Sequence, residues 1–193
     1  MSSPDRLDRQ RSAGDVVRPV LVLLAVMWAL EILDAVLPAM LDQYGIQGRT
    51  ASGLVGVALA PFLHGGLAHL IANTVPFLVL GTLVAWRSRD FFWAVFTVVV
   101  VLSGLGVWLL TSPSTITIGA SSVVFGFAAY LVTAGVLTRH WLDIVIAIGV
   151  VLVYGTMLTG VLPFTVPDGV SWLGHLMGAV AGVVAAFAFA RRT

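Results

Sequence analysis

Apolar runs separated by short polar stretches account for most of the chain. They cover roughly residues 19–38, 66–86, 91–110, 119–137, 142–160 and 170–190. Crossing a bilayer core as a helix takes about 20 predominantly apolar residues. Each of the six runs is therefore long enough to span, and the pattern predicts an all-α membrane protein with six transmembrane helices. The stretch Leu54–Leu63 is apolar but too short to cross, so it is expected near the membrane surface. It follows a polar loop, Leu41–Ser52, that reads as the first connection outside the bilayer. The first run is interrupted near its far end by Glu31 and Asp34 and is long for a cleaved signal peptide, so it is read as a retained span.

Composition supports a membrane protein and removes other classes. Of the 193 residues, 59% are hydrophobic and 10% charged, with net charge +1. Soluble domains carry about 25% charged residues, so a water-soluble globule and a disordered chain are both excluded. A net charge this small offers no basic surface for a nucleic-acid backbone. Cys is absent, which removes thiolate metal sites and Cys nucleophiles. All ten cations are Arg, which removes Lys chemistry, Ser–Lys dyads included. The expected division is a polar N-terminal tail over residues 1–18 and a six-helix membrane domain over 19–193.

The arginines orient the bundle. Arg6, Arg9, Arg11 and Arg18 precede the first span; Arg87 and Arg89 follow the second; Arg139 follows the fourth; Arg191 and Arg192 follow the sixth. With six spans these places fall on one side, leaving only Arg49 opposite. The excess of positive charge marks the cytoplasmic side. Both termini are thus expected to be cytoplasmic in a multi-pass protein of the cell membrane.

Strongly polar groups inside spans are costly and suggest function. Glu31, His69, Asn73, Ser121 and His175 stand out. Given the orientation, His69 and Asn73 lie in the first turns of the second span, Ser121 in the first turn of the fourth and His175 about 7 Å into the sixth. Three helices therefore place a hydroxyl, imidazoles and an amide at one depth, near the outer face. Serine acyl transfer needs this set. The hydroxyl attacks only once an imidazole takes its proton, and the tetrahedral intermediate needs donors for its oxyanion. His69 and Asn73, spaced i,i+4, share a helix face and can donate, beside the Ser121 backbone amide. No carboxylate is placed to orient His175, so a dyad is expected, with hydrogen-bonding reach between Ser121 and His175. Small residues provide close approach: Ser122, Gly126 and Ala129 on the fourth span, and Gly178 and Gly182 on the His175 face of the sixth.

These elements together resemble the rhomboid intramembrane serine proteases. The matching segments are HGGLAHLIAN (His64–Asn73), GASSVVFG (Gly119–Gly126) and GHLMGAVAG (Gly174–Gly182), in the family's order on the second, fourth and sixth spans. The resemblance implies a six-helix rhomboid-like bundle with a catalytic dyad at Ser121 and His175 and oxyanion donors at His69 and Asn73. It also implies that Phe125 packs on the imidazole and that His64 anchors a loop. It implies cleavage of transmembrane protein substrates with a single span, near the extracytoplasmic face, without metal or cofactor.

Two departures stand out. Ser122 replaces the family's glycine after the nucleophile, which raises the question of which serine attacks. The spacing favours Ser121, with Gly119 two residues before it, Phe125 four after and Gly126 five after. In the first outer loop, Gly48–Arg49 stands where the family often carries Trp-Arg. The Ser122 substitution also keeps in view a non-catalytic rhomboid-like protein that binds or escorts membrane proteins. Other intramembrane chemistries lack their residues: there is no His-Glu-x-x-His for zinc, and Asp34 and Asp143 lie at opposite faces, too far apart for an aspartyl pair. Glu31 and Asp34 are read as an internal hydrogen-bonding network, and His140 as interfacial.

Overall fold

The computed structural model describes residues 13–37 and 40–192. Within them the chain forms seven α-helices: α1 (Ala13–Val36), α2 (Ala51–Leu59), α3 (Leu67–Arg87), α4 (Phe92–Leu110), α5 (Ser121–Thr138), α6 (Trp141–Leu158) and α7 (Trp172–Phe189). All except α2 belong to segments long and apolar enough to cross a membrane, in agreement with the six expected spans. A helix satisfies its own backbone polar groups, which is what lets an apolar segment cross hydrocarbon.

The first boundary differs from expectation. Helix α1 begins at Ala13, so Ala13–Arg18 are its first turns and not part of a tail. Val16 is already buried in the core. Asp15 sits in the first turn, where a carboxylate complements the helix dipole. Asp15 and Arg18 interrupt the apolar pattern there, which is why the apolar run begins only at Pro19. The remainder of the expected tail, residues 1–12, and the run's end at Pro38 lie outside the described residues.

Helix α5 is the hub. Val123, Val124, Phe125, Gly126, Phe127, Ala128, Tyr130, Leu131, Ala134 and Gly135 are all buried, which occupies every face. A helix apolar all round belongs at the centre of a bundle. Its closest neighbour is α7. A Cβ on Gly178 would collide with the Ser122 carbonyl, and one on Gly182 with the Gly126 carbonyl. The two backbones approach only because both positions are glycine.

The first loop is folded rather than loose. Two-residue strands β1 (Ile46–Gln47) and β2 (Ile116–Thr117) pair antiparallel, joining the loop to the segment before α5. Thr50 caps α2 by accepting from the Gly53 amide at 3.0 Å. The Arg49 amide donates to the Trp108 carbonyl at 2.9 Å, and its guanidinium to the Leu109 carbonyl at 3.2 Å. The Trp108 indole in turn donates to the Thr50 carbonyl at 2.8 Å. Arg49 thus ties this loop to the end of α4. Asp34 accepts from the Leu41 amide at 2.6 Å, a local bond from α1 to the segment Leu41–Tyr44.

Candidate active site

Ser121 opens α5, and the turn that delivers it is tightly determined. Gly119 has φ +108, a conformation L side chains rarely adopt. A Cβ there would also stand 2.6 Å from Cε1 of His69. Its amide donates to the Ala60 carbonyl at 2.8 Å, so the short segment after α2 holds the turn. The amides of Val123 and Val124 both donate to the Ala120 carbonyl. The Ser121 and Ser122 amides precede them and are among the N–H groups a helix start leaves without an intrahelical acceptor. They point out of the positive end of the helix dipole.

His175 lies in the first turns of α7, whose cap is Ser171, accepting from the Gly174 amide at 3.1 Å. The imidazole is buried and stacks on Phe125, with centroids 4.1 Å apart and planes 7° apart. Phe125 follows Ser121 by four residues, one turn along the same face of α5. His175 is therefore held against the face that carries Ser121. Its Nδ1 lies 3.0 Å from the Gly160 carbonyl. A carbonyl can only accept, so Nδ1 carries the hydrogen and Nε2 keeps the lone pair. That is the tautomer a general base requires. Among the described residues no hydrogen bond joins the Ser121 hydroxyl to His175, so the expected reach is not realised as a formed bond. Such bonds are often long before substrate binds.

His69 and Asn73 enter from α3. His69 faces Gly119, two residues before Ser121. Asn73 is buried, and its amide donates to the His69 carbonyl at 3.0 Å. The amide nitrogen carries two hydrogens, so one donor remains. His64 is 1% exposed and stands edge-on to His69, with centroids 5.1 Å apart. Its Nε2 accepts from the Ala120 amide at 3.4 Å, so the ring braces the residue immediately before Ser121. The tautomer this requires puts the hydrogen on Nδ1, which is buried without a hydrogen-bond partner. Burial, reinforced by His69, holds the His64 imidazole down to about 4, with the Phe62 backbone opposing.

Comparison with known proteins identifies the scaffold. Residues 51–192 match the Rhomboid domain. The chain belongs to the rhomboid family. It is 44% identical over 176 residues to an uncharacterized protein of Mycobacterium tuberculosis, an alignment covering 87% of this chain and 72% of that one. An uncharacterized protein of Mycobacterium leprae is 38% identical over 174 residues, covering 87% and 69%. The rhomboid family consists generally of serine intramembrane proteases.

Within this rhomboid fold, Phe125 and His175 stack where α5 meets α7, one helical turn along α5 from Ser121, while His69 packs against Gly119 and His64. Gly126 faces Val99 and the Gly178 carbonyl, so it belongs to helix packing. Ser122 contributes its backbone to the Gly178 contact, so a side chain at 122 is compatible with close approach. His140 is exposed at the far end of α5, about 27 Å along an 18-residue helix. Sequence reasoning missed the Gly160 carbonyl, which orients His175 where a carboxylate would stand in a triad. It also missed the Ala60 carbonyl. A backbone acceptor has no residue signature, so neither could be found from residue types.

Proposed function

We propose that this rhomboid is an intramembrane serine endopeptidase of the cell membrane that cleaves single-span membrane proteins near the extracytoplasmic face. The supporting observation is the His175 tautomer: Nδ1–H is committed to Gly160, leaving Nε2 basic on the Ser121 face of α5. In this reading Nε2 takes the Ser121 proton as Oγ bonds to the scissile carbonyl carbon. The resulting oxyanion is met by the Ser121 amide, by His69 and by the remaining Asn73 hydrogen. His175 then gives its proton to the departing amine as the C–N bond breaks. Water, deprotonated by His175, hydrolyses the acyl-enzyme. The sequence, with nine of its ten arginines on one side of six spans, supports placing both termini in the cytoplasm.

The test is cleavage of a single-span reporter in liposomes by Ser121→Ala and Ser122→Ala side by side. Loss in Ser121→Ala alone is expected. Loss in Ser122→Ala alone would move the nucleophile by one residue. The Ser122 substitution supports a second reading, a non-catalytic binder of membrane proteins. A fluorophosphonate probe separates the two: the enzyme is labelled at Ser121, whereas a folded protein that never labels is the binder.

A further inference from the structure

The arginine-rich end holds a cavity of mixed charged and apolar lining that the proteolytic chemistry does not use. It measures about 500 Å³ and lies where the end of α3, the α5–α6 turn and the end of α7 converge. Its polar lining comprises Arg87, Thr138, His140, Asp143 and Arg191. Most of these groups are already matched. Arg87 pairs with Asp143 through Nε and donates to the Ala190 carbonyl at 3.0 Å. The second Asp143 oxygen accepts from Thr138 at 2.6 Å. Arg87 and Asp143 cancel in charge, and Asp143 has no capacity left to neutralise a second cation. Arg191 and the His140 imidazole line the same cavity, and among the described residues no carboxylate pairs with either. The cavity therefore has a net positive charge set against a closed ion pair.

Its surroundings indicate what fills it. Trp86 lines the cavity and is half exposed, and Leu137 and Leu142 supply apolar wall. Trp141, 65% exposed, follows His140 directly. Exposed Trp at span ends sits at the headgroup level of a bilayer. A cavity at that depth, lined by both cationic and apolar side chains, suits an anion attached to acyl chains. We propose that it binds the phosphate headgroup of an anionic phospholipid from the leaflet at the arginine-rich end, with Arg191 as the principal contact. This site is independent of the Ser121 chemistry.

The neighbouring arginine provides a control. Arg192 has the same charge and is also exposed, but does not line the cavity. The full chain in dodecyl maltoside is titrated by native mass spectrometry with phosphatidylglycerol, phosphatidylcholine and water-soluble glycerol 3-phosphate. One saturable phosphatidylglycerol is expected, weakened about fivefold by Arg191→Ala and unchanged by Arg192→Ala. Phosphatidylcholine is expected to bind more weakly and glycerol 3-phosphate not to be retained. Equal effects of the two variants, whether losses or none, would overturn a discrete site. Phosphatidylcholine retained as tightly would overturn anion selection, and glycerol 3-phosphate retained as tightly would make the site one for free phosphate.

Discussion

At the arginine-rich end, Arg87, Asp143, Thr138 and the Ala190 carbonyl satisfy one another inside the bundle, joining α3, α5, α6 and α7. Beside them the Ser88 and Tyr130 hydroxyls bond each other in the interior. At the opposite end three imidazoles lie at or near the interior, yet the fold leaves His64 Nδ1 without a partner and engages only Nδ1 of His175. Unsatisfied polar groups are costly in a membrane bundle, so the same chain pairs its buried polar atoms fully at one end and incompletely at the other. The closed network is what a structural clamp requires. The open one is what chemistry requires, because a base that is already bonded cannot accept a proton.

The contrast predicts opposite responses to mutation. His175→Ala is expected to lower reporter cleavage about 10⁴-fold, with a smaller change in thermal unfolding than any break in the clamp. Arg87→Ala is expected to do the reverse. It strands Asp143, which is 4% exposed, and costs about 3–5 kcal/mol. Thermal unfolding in detergent reads that loss, while the turnover per folded molecule stays within a few fold. The double replacement Arg87→Met with Asp143→Leu removes both charges and is expected to recover most of the stability. If Arg87→Ala abolished turnover in folded protein, the two ends would be coupled and the contrast would fail.

Legibility in the sequence follows the range of each interaction. The spans were readable because each is a long apolar run, and α3–α7 begin and end within a few residues of the hydropathy boundaries. His69 and Asn73 were readable as a pair because they repeat at one helical turn, whereas Phe125 was legible only through the family resemblance. The Arg87–Asp143 clamp joins residues 56 apart, with no local pattern to connect them. The strands β1 and β2 are two residues each, too short for any alternation to register. Gly160 acts through its carbonyl, which every residue possesses. Gly48–Arg49 stands where the family often carries Trp-Arg, and Arg49 reaches two carbonyls at the end of α4 through its backbone and its guanidinium, acceptors that no residue type announces.

A finer division lies within the open end itself. Asn73 spends one amide hydrogen on its own helix and has one left for an oxyanion. Asn73→Ala is expected to reduce kcat about 10²-fold, with KM nearly unchanged, because the donor acts in the transition state. An increase in KM without loss of kcat would instead make Asn73 a substrate-binding residue.

His64 gives the smallest effect and the one that joins stability to the site. Its imidazole is held down to about 4, below the ordinary value of 6.5. The folded protein therefore keeps His64 neutral while the unfolded chain takes up a proton as pH falls through 6.5. Stability from this residue is constant above that pH and declines below it, until the folded form also protonates near 4. Between pH 6.5 and 5 the loss is about 2 kcal/mol. Protonation also removes the Nε2 lone pair that receives the Ala120 amide, loosening the turn before Ser121. Thermal unfolding of the wild type and of His64→Phe, measured across this range, isolates the contribution: the wild-type midpoint should fall faster. Parallel curves would mean that His64 is solvated in the folded state and that the open end is less dry than its burial implies.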